Sequence, residues 1–126
     1  MWLFPPFEKT EEQNMCIFCK IAAGEIPSTK VYEDDYCLGF KDINPQAPVH
    51  VLLIPKAHIE SVNEINDSNV NIIGETMKAI PKIAASIPEL KNGYRVISNC
   101  GKDAGQTVFH LHFHIVGGKE MNEHII

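Results

Sequence analysis

Apolar residues recur along this chain in two rhythms, and the changes of rhythm mark its elements. Between Asp67 and Ile87, the residues Val70, Ile73, Met77, Ile80, Ile83, Ala84 and Ile87 are spaced by threes and fours. That spacing predicts an amphipathic helix with these side chains on its buried face. Asp67 or Ser68 is suited to cap its start. Pro81 predicts a kink, because a proline inside a helix removes a hydrogen bond and crowds the preceding turn. Elsewhere the apolar runs are short and rich in branched or aromatic residues: Lys30–Glu33, Tyr36–Lys41, Val49–Pro55, Tyr94–Asn99 and Val108–Val116. These predict strands. Asp34-Asp35 predicts a hairpin turn, Asn44-Pro45 with Ala47-Pro48 a loop, and Asn92-Gly93 another turn. The run from Met15 to Gly24 reads as a short helix stopped by Gly24 and Pro27. Residues 1–14 carry Pro5-Pro6 and a polar run without periodicity, and are expected to be an appendage to a domain spanning 15–126. The prediction is an α+β domain: a five-stranded, mostly antiparallel sheet with one main helix and a short N-terminal helix.

Bulk properties narrow the function without naming it. A length of 126 residues suits one domain with one modest core. The formal net charge of −5 argues against a general nucleic-acid binder, which needs a basic face for phosphates. A small anion remains admissible, because backbone N–H groups and imidazoles can hold a phosphate without a basic surface. The N-terminal Met1-Trp-Leu-Phe is followed at once by two prolines. No signal peptide or membrane span is therefore expected. The expected compartment is the cytoplasm, with the nucleus also open if the source is eukaryotic. The four cysteines then read as thiols or metal ligands rather than disulfides.

The chemistry concentrates in His110-Leu-His112-Phe-His114-Ile-Val116. In a strand, residues two apart project from one face about 7 Å from each other. Three imidazoles in strict alternation with apolar residues are hard to explain as ordinary strand surface, where threonine, valine or tyrosine serve better. Metal chelation and phosphoryl chemistry both remain open, since neutral imidazole is a zinc ligand and a nucleophile. The preceding loop, with Gly101, Gly105, Gln106 and Thr107, offers donors of the kind that suit phosphate oxygens. Cys16-x-x-Cys19 is compatible with a redox dithiol, two unrelated thiols or half a zinc site.

The run is similar to the His-x-His-x-His-x-x signature of the histidine-triad (HIT) family. Further segments resemble its nucleotide-binding Hint branch: Ile17-Phe18, Gly24-Glu-Ile-Pro27, Phe40-Lys-Asp42, Asn44-Pro-Gln-Ala-Pro48, Leu53-Ile-Pro-Lys56, Tyr94-Arg95 and Gly105-Gln106. The resemblance covers residues 16–121. It implies a HIT-like fold and a purine nucleoside phosphoramidase or related nucleotidyl hydrolase, acting on AMP- or GMP-linked substrates without a metal in the chemical step. Dinucleoside polyphosphate hydrolysis and a non-catalytic nucleotide-binding scaffold are the alternatives.

Carried over residue by residue, the resemblance implies that His112 attacks the α-phosphorus to form a nucleotidyl-histidine, which water then cleaves. His114, Asn99, Gly105, Gln106, Thr107 and Val108 are expected around the phosphate, with Thr107 standing where serine is commoner. Asp42 is expected on the ribose hydroxyls, and Ile17, Phe18, Ile21, Phe40 and Ile43 around the purine. Relatives with the CxxC imply a structural zinc at Cys16, Cys19, His50 and His110, leaving His58, His124, Cys37 and Cys100 without an assigned role. A homodimer is also implied. After Met121 the chain reads Asn-Glu-His-Ile-Ile, where animal relatives carry a tryptophan that contributes to substrate recognition. This departure leaves the leaving-group preference open.

Overall fold

The computed structural model describes residues 15–126, so the appendage expected at 1–14 lies outside the described residues. The elements run α1 (Ile17–Ala22), β1 (Lys30–Glu33), β2 (Cys37–Lys41), β3 (Val49–Pro55), α2 (Val70–Ser86), β4 (Tyr94–Ile97) and β5 (Phe113–Gly117). Single 3-10 turns occupy Val62–Glu64, Pro88–Leu90 and Lys102–Ala104. The strands form one five-stranded sheet in the order β1-β2-β3-β5-β4. Every neighbouring pair is antiparallel. The β1–β2 hairpin turns where Asp34-Asp35 predicts it. The Asp34 carboxylate accepts from the backbone N–H groups of Tyr36 and Cys37, which holds the reversal.

The central strand β3 is buried on both faces, and its alternation divides the interior in two. Val51 and Leu53 point to one side with Cys37, Leu111, Phe113 and Ile115, where Ile73, Ala79, Ile80 and Ile83 of α2 cover them. Leu52 and Ile54 point to the other with Leu38 and Phe40, where Phe18 and Ile21 of α1 cover them. Gly39 allows α2 to approach the sheet, since a Cβ there would lie 3.1 Å from Ile83 Cδ1. Burying two faces with one long and one very short helix leaves room beside α1, and the site occupies that room.

Three local expectations change around a helix that runs from Val70 to Ser86 with Pro81 inside it. Its buried face is Ile73, Thr76, Ala79, Ile80 and Ile83, whereas Val70 and Met77 are exposed, at 52% and 42%. Thr76 joins that face because its hydroxyl donates back to the Ile72 carbonyl at 2.8 Å, satisfying the polar atom within the helix. The last strand is also shorter than Val108–Val116. It begins at Phe113, opposite Leu53, because the ladder fails beyond that pair. Pro55 has no N–H to give, and its carbonyl is taken by the His110 ring at 2.7 Å instead of by a backbone donor. Likewise β4 stops at Ile97. Ser98 then donates its hydroxyl to the His112 carbonyl at 2.9 Å, tying the two segments by a side chain.

Candidate active site and metal centre

Although His110 and His112 precede the strand proper, the alternation of the run survives in the packing. Leu111, Phe113 and Ile115 enter the α2 side of the core. The imidazoles face α1: the Phe18 ring stands edge-on to His112 at 5.1 Å and to His110 at 6.0 Å between centroids. His114 lies 5.1 Å from both His112 and His50 by the same measure. Beside them opens a cavity of about 800 Å³ lined by Ile17, Phe18, Ile21, Phe40, Leu52 and Val108, with Asp42, Thr107, His112 and His114 as polar members. Ile43 stands at its mouth, 92% exposed. The structure thus brings together the residues expected for a purine and a ribose.

The hydrogen bonds determine which ring nitrogen of each histidine carries the proton. His112 Nδ1 lies 2.7 Å from the His110 carbonyl, an acceptor only, so Nδ1 is the donor and Nε2 keeps a free lone pair. His50 Nδ1 accepts from the Gln46 backbone N–H at 3.0 Å, which places the proton of the neutral ring on Nε2. That N–H donates to His114 Nδ1 at 2.9 Å. His114 in turn carries its proton on Nε2. Burial lowers the pKa of His50 despite the nearby Asp42 carboxylate. Burial, with His112 and His50 alongside, lowers that of His114. Both are therefore neutral across a wider range than free imidazole.

Folding stability therefore depends on pH through these two rings. In the unfolded chain these imidazoles take up protons near their ordinary value of 6.5, whereas in the native state they resist until lower pH. Their contribution is complete above that value and is lost as pH falls through it. The unfolding free energy from urea titration should be lower at about pH 5.5 than at about pH 7.5. An equal or higher value at the lower pH would count against the neutral assignments.

Four donors gather on the other side of Phe18. Cys16 Sγ and Cys19 Sγ lie 3.4 and 3.5 Å from His110 Nδ1, and Cys19 Sγ lies 3.2 Å from His58 Nδ1. All four ligand atoms fall within 4.8 Å of one another. Zinc bonds of about 2.0–2.3 Å in a tetrahedron put neighbouring donors about 3.3–3.8 Å apart, so the spacing fits one ion. The fit extends outward. The His110 Nε2–H donates to the Pro55 carbonyl, which leaves Nδ1 unprotonated toward the sulfurs. Burial drives the His110 pKa down to about 4, which also keeps that lone pair free.

The fourth member corrects an expectation: it is His58, not His50. His50 sits in β3 on the sheet face beside His114, and its two nitrogens are committed to Gln46 and to His114. His58 lies beyond the end of β3, where the chain passes the cysteines after Pro55. Gln106 also departs from its expected place. Its side chain is buried and fully engaged: Nε2 donates to the Glu60 and Val108 carbonyls, and Oε1 accepts from Gly101 N–H. It builds the loop that carries Thr107 rather than facing a ligand. Gly105, at φ +84°, ends the turn before it in a conformation that favours glycine. Asn99 lies across His114 from the purine side, in a second cavity of about 480 Å³ shared with Gln46, His50, Arg95 and Lys119. Ser98 was not foreseen, since a lone serine after a strand gives no signal.

Together these features define a class of small α+β domain, one that sets a row of neutral imidazoles beside an apolar cavity. The chain belongs to the HIT family: the HIT domain model matches residues 23–121. The chain is 50% identical over 102 residues to protein HitA of Neisseria gonorrhoeae, covering 81% of this chain and 94% of the relative. Its fold superposes on a HIT family hydrolase from Clostridium thermocellum with a TM-score of 0.87 at 52% identity, covering 94% and 100% of the two chains. A histidine triad protein from Clostridium difficile gives 0.83 at 49% identity, covering 94% and 99%. Among the described residues, no helix is long and apolar enough to cross a membrane.

Proposed function

We propose that the protein is a hydrolase of purine nucleoside phosphoramidates and related AMP- or GMP-linked compounds, working through a nucleotidyl-histidine. The observation that carries this reading is the 2.7 Å bond from His112 Nδ1 to the His110 carbonyl, which aims an unprotonated Nε2 into the cavity. The likeness to a Clostridium thermocellum protein described as a HIT family hydrolase supports hydrolysis as the reaction class.

The purine enters between Phe18, Phe40 and Ile43, and Asp42 accepts from the ribose hydroxyls. This presents the α-phosphorus to His112. Its Nε2 lone pair forms the N–P bond as the bond from phosphorus to the leaving group breaks; the electron pair departs with that group, which takes up one proton and leaves as the neutral amine. The His114 Nε2–H donates to the oxygen or leaving atom where charge gathers. Water then attacks phosphorus, the N–P bond breaks, and its electron pair returns to His112 with release of the nucleoside monophosphate and a proton. Dividing the displacement in this way is the usual gain of covalent catalysis.

The four-donor group of Cys16, Cys19, His58 and His110 holds a structural zinc in this reading, while the reacting groups are His112 and His114. β4 is an edge strand with Val96 and Ile97 each 40% exposed, and it is the face offered to a second copy in a homodimer. The test is turnover on adenosine 5′-phosphoramidate against diadenosine tetraphosphate. The phosphoramidate should have the higher kcat/KM by at least about 10-fold, roughly the discrimination of a single extra transition-state hydrogen bond. Preference for the tetraphosphate would reassign the enzyme, and no turnover of either would refute the hydrolase reading.

A further inference from the structure

Asp42, His50 and His114 form a second group whose nitrogen and oxygen atoms lie within 4.8 Å of one another. By spacing alone it resembles a two-histidine, one-carboxylate metal site. The hydrogen bonds argue otherwise. The Gln46 backbone N–H occupies His50 Nδ1, so the neutral ring carries its proton on Nε2, the nitrogen that faces the other two. A protonated nitrogen has no lone pair for a metal. It has one hydrogen, and two acceptors compete for it: His114 Nδ1 at 2.9 Å and Asp42 Oδ2 at 3.4 Å. Asp42 Oδ1 is already taken by the Asn44 N–H at 2.8 Å, so Oδ2 is the oxygen left for a ligand. Asp42 and His114 both line the purine-side cavity, whereas His50 lies behind them.

We propose that His50 is a positioning residue that couples sugar recognition to the phosphate step. Its single Nε2 hydrogen is shared between Asp42 and His114, and a ribose hydroxyl accepted by Asp42 Oδ2 leaves that hydrogen to His114. Occupation of His114 Nδ1 keeps the His114 proton on Nε2, directed at the phosphate. A ribonucleotide thus strengthens a tautomer that the free site already favours, by removing the competing acceptor 3.4 Å from His50 Nε2. This rests on the nucleotidyl-hydrolase reading and adds to it a reason for ribose to affect kcat as well as KM.

Two measurements on the full-length protein test it. In the first, the phosphoramidates of adenosine and of 2′,3′-dideoxyadenosine are compared as substrates. For the wild type, loss of the hydroxyls should raise KM and also lower kcat by about 5-fold, the size of one hydrogen bond made in the transition state. In His50→Ala, kcat for the ribonucleotide should fall about 10-fold and become indifferent to the sugar, while KM still responds to it. His50→Gln, whose amide restores an N–H donor, should recover part of both effects. A sugar effect confined to KM in the wild type, or one on kcat that persists in His50→Ala, would overturn the coupling.

In the second, ¹⁵N imidazole spectra should show His114 held with its proton on Nε2 in the wild type and in His50→Gln. In His50→Ala the two tautomers should be mixed. A single Nε2–H tautomer in His50→Ala would overturn the positioning role without involving turnover. Absence of turnover with both nucleotides would instead refute the hydrolase reading, and the coupling with it.

Discussion

His112→Asn is expected to lower kcat by on the order of 10⁴-fold or more, the scale seen when a covalent nucleophile is removed. Binding of AMP should change by no more than a few-fold. Asparagine keeps an amide N–H that can reach the His110 carbonyl, so the segment should stay in place. What it lacks is the Nε2 lone pair that the His110 carbonyl leaves free in the native ring. The base and sugar contacts belong to Phe18, Phe40 and Asp42, which the substitution does not touch. Steady-state kinetics together with calorimetric titration of AMP separate the two effects. A variant that retains a tenth of the activity, or that loses AMP binding altogether, would contradict the assignment of roles.

The second large effect concerns the cysteine and histidine group. Ile17 and Phe18, which wall the purine cavity, are the two residues between Cys16 and Cys19. An ion held by those sulfurs and by His58 and His110 therefore joins the cavity wall to the segment carrying His112. Metal present at a thousandfold excess over its dissociation constant stabilises the native state by about 4 kcal/mol. Cys19→Ser, or removal of the metal by a chelator, should lower the melting temperature by about 15 °C for a domain of this size. It should also weaken AMP binding, because the cavity wall loses its anchor. His58→Ala should lose the metal, whereas His50→Ala should keep it. Metal analysis of the purified variants decides this: equal loss in both, or retention in both, would reject the ligand set.

The contrast between His50 and His58 shows what the sequence could and could not disclose. Alternation at Leu111, Phe113 and Ile115 is a property of neighbouring residues, and it announced the buried side of the last strand correctly. So did the pairing of turn signals with short apolar runs, which places all five strands. The cavity residues Phe18, Phe40, Asp42 and His112 followed from the family resemblance and meet in the structure. Choosing the fourth donor is a different kind of problem. It depends on how a six-residue helix packs beyond the end of β3, and no local pattern around His50 or His58 encodes that. Gln106 was misplaced for a related reason, since an amide in a glycine-bearing loop can face a ligand or hold the loop. Only the positions of Gly101, Glu60 and Val108 show that it holds the loop. Thr76 escaped notice because a hydroxyl that bonds back to its own helix behaves as a buried group while reading as polar.

The central claim is that His112 becomes covalently attached to the nucleotide. It is tested most directly by acid-free rapid quenching of the wild-type enzyme with an adenosine phosphoramidate, followed by peptide mapping by mass spectrometry. An adenylyl group is expected on the peptide containing His112, absent from His112→Asn, together with overall retention of configuration at phosphorus. An adduct on another residue, or no adduct and inversion at phosphorus, would contradict it.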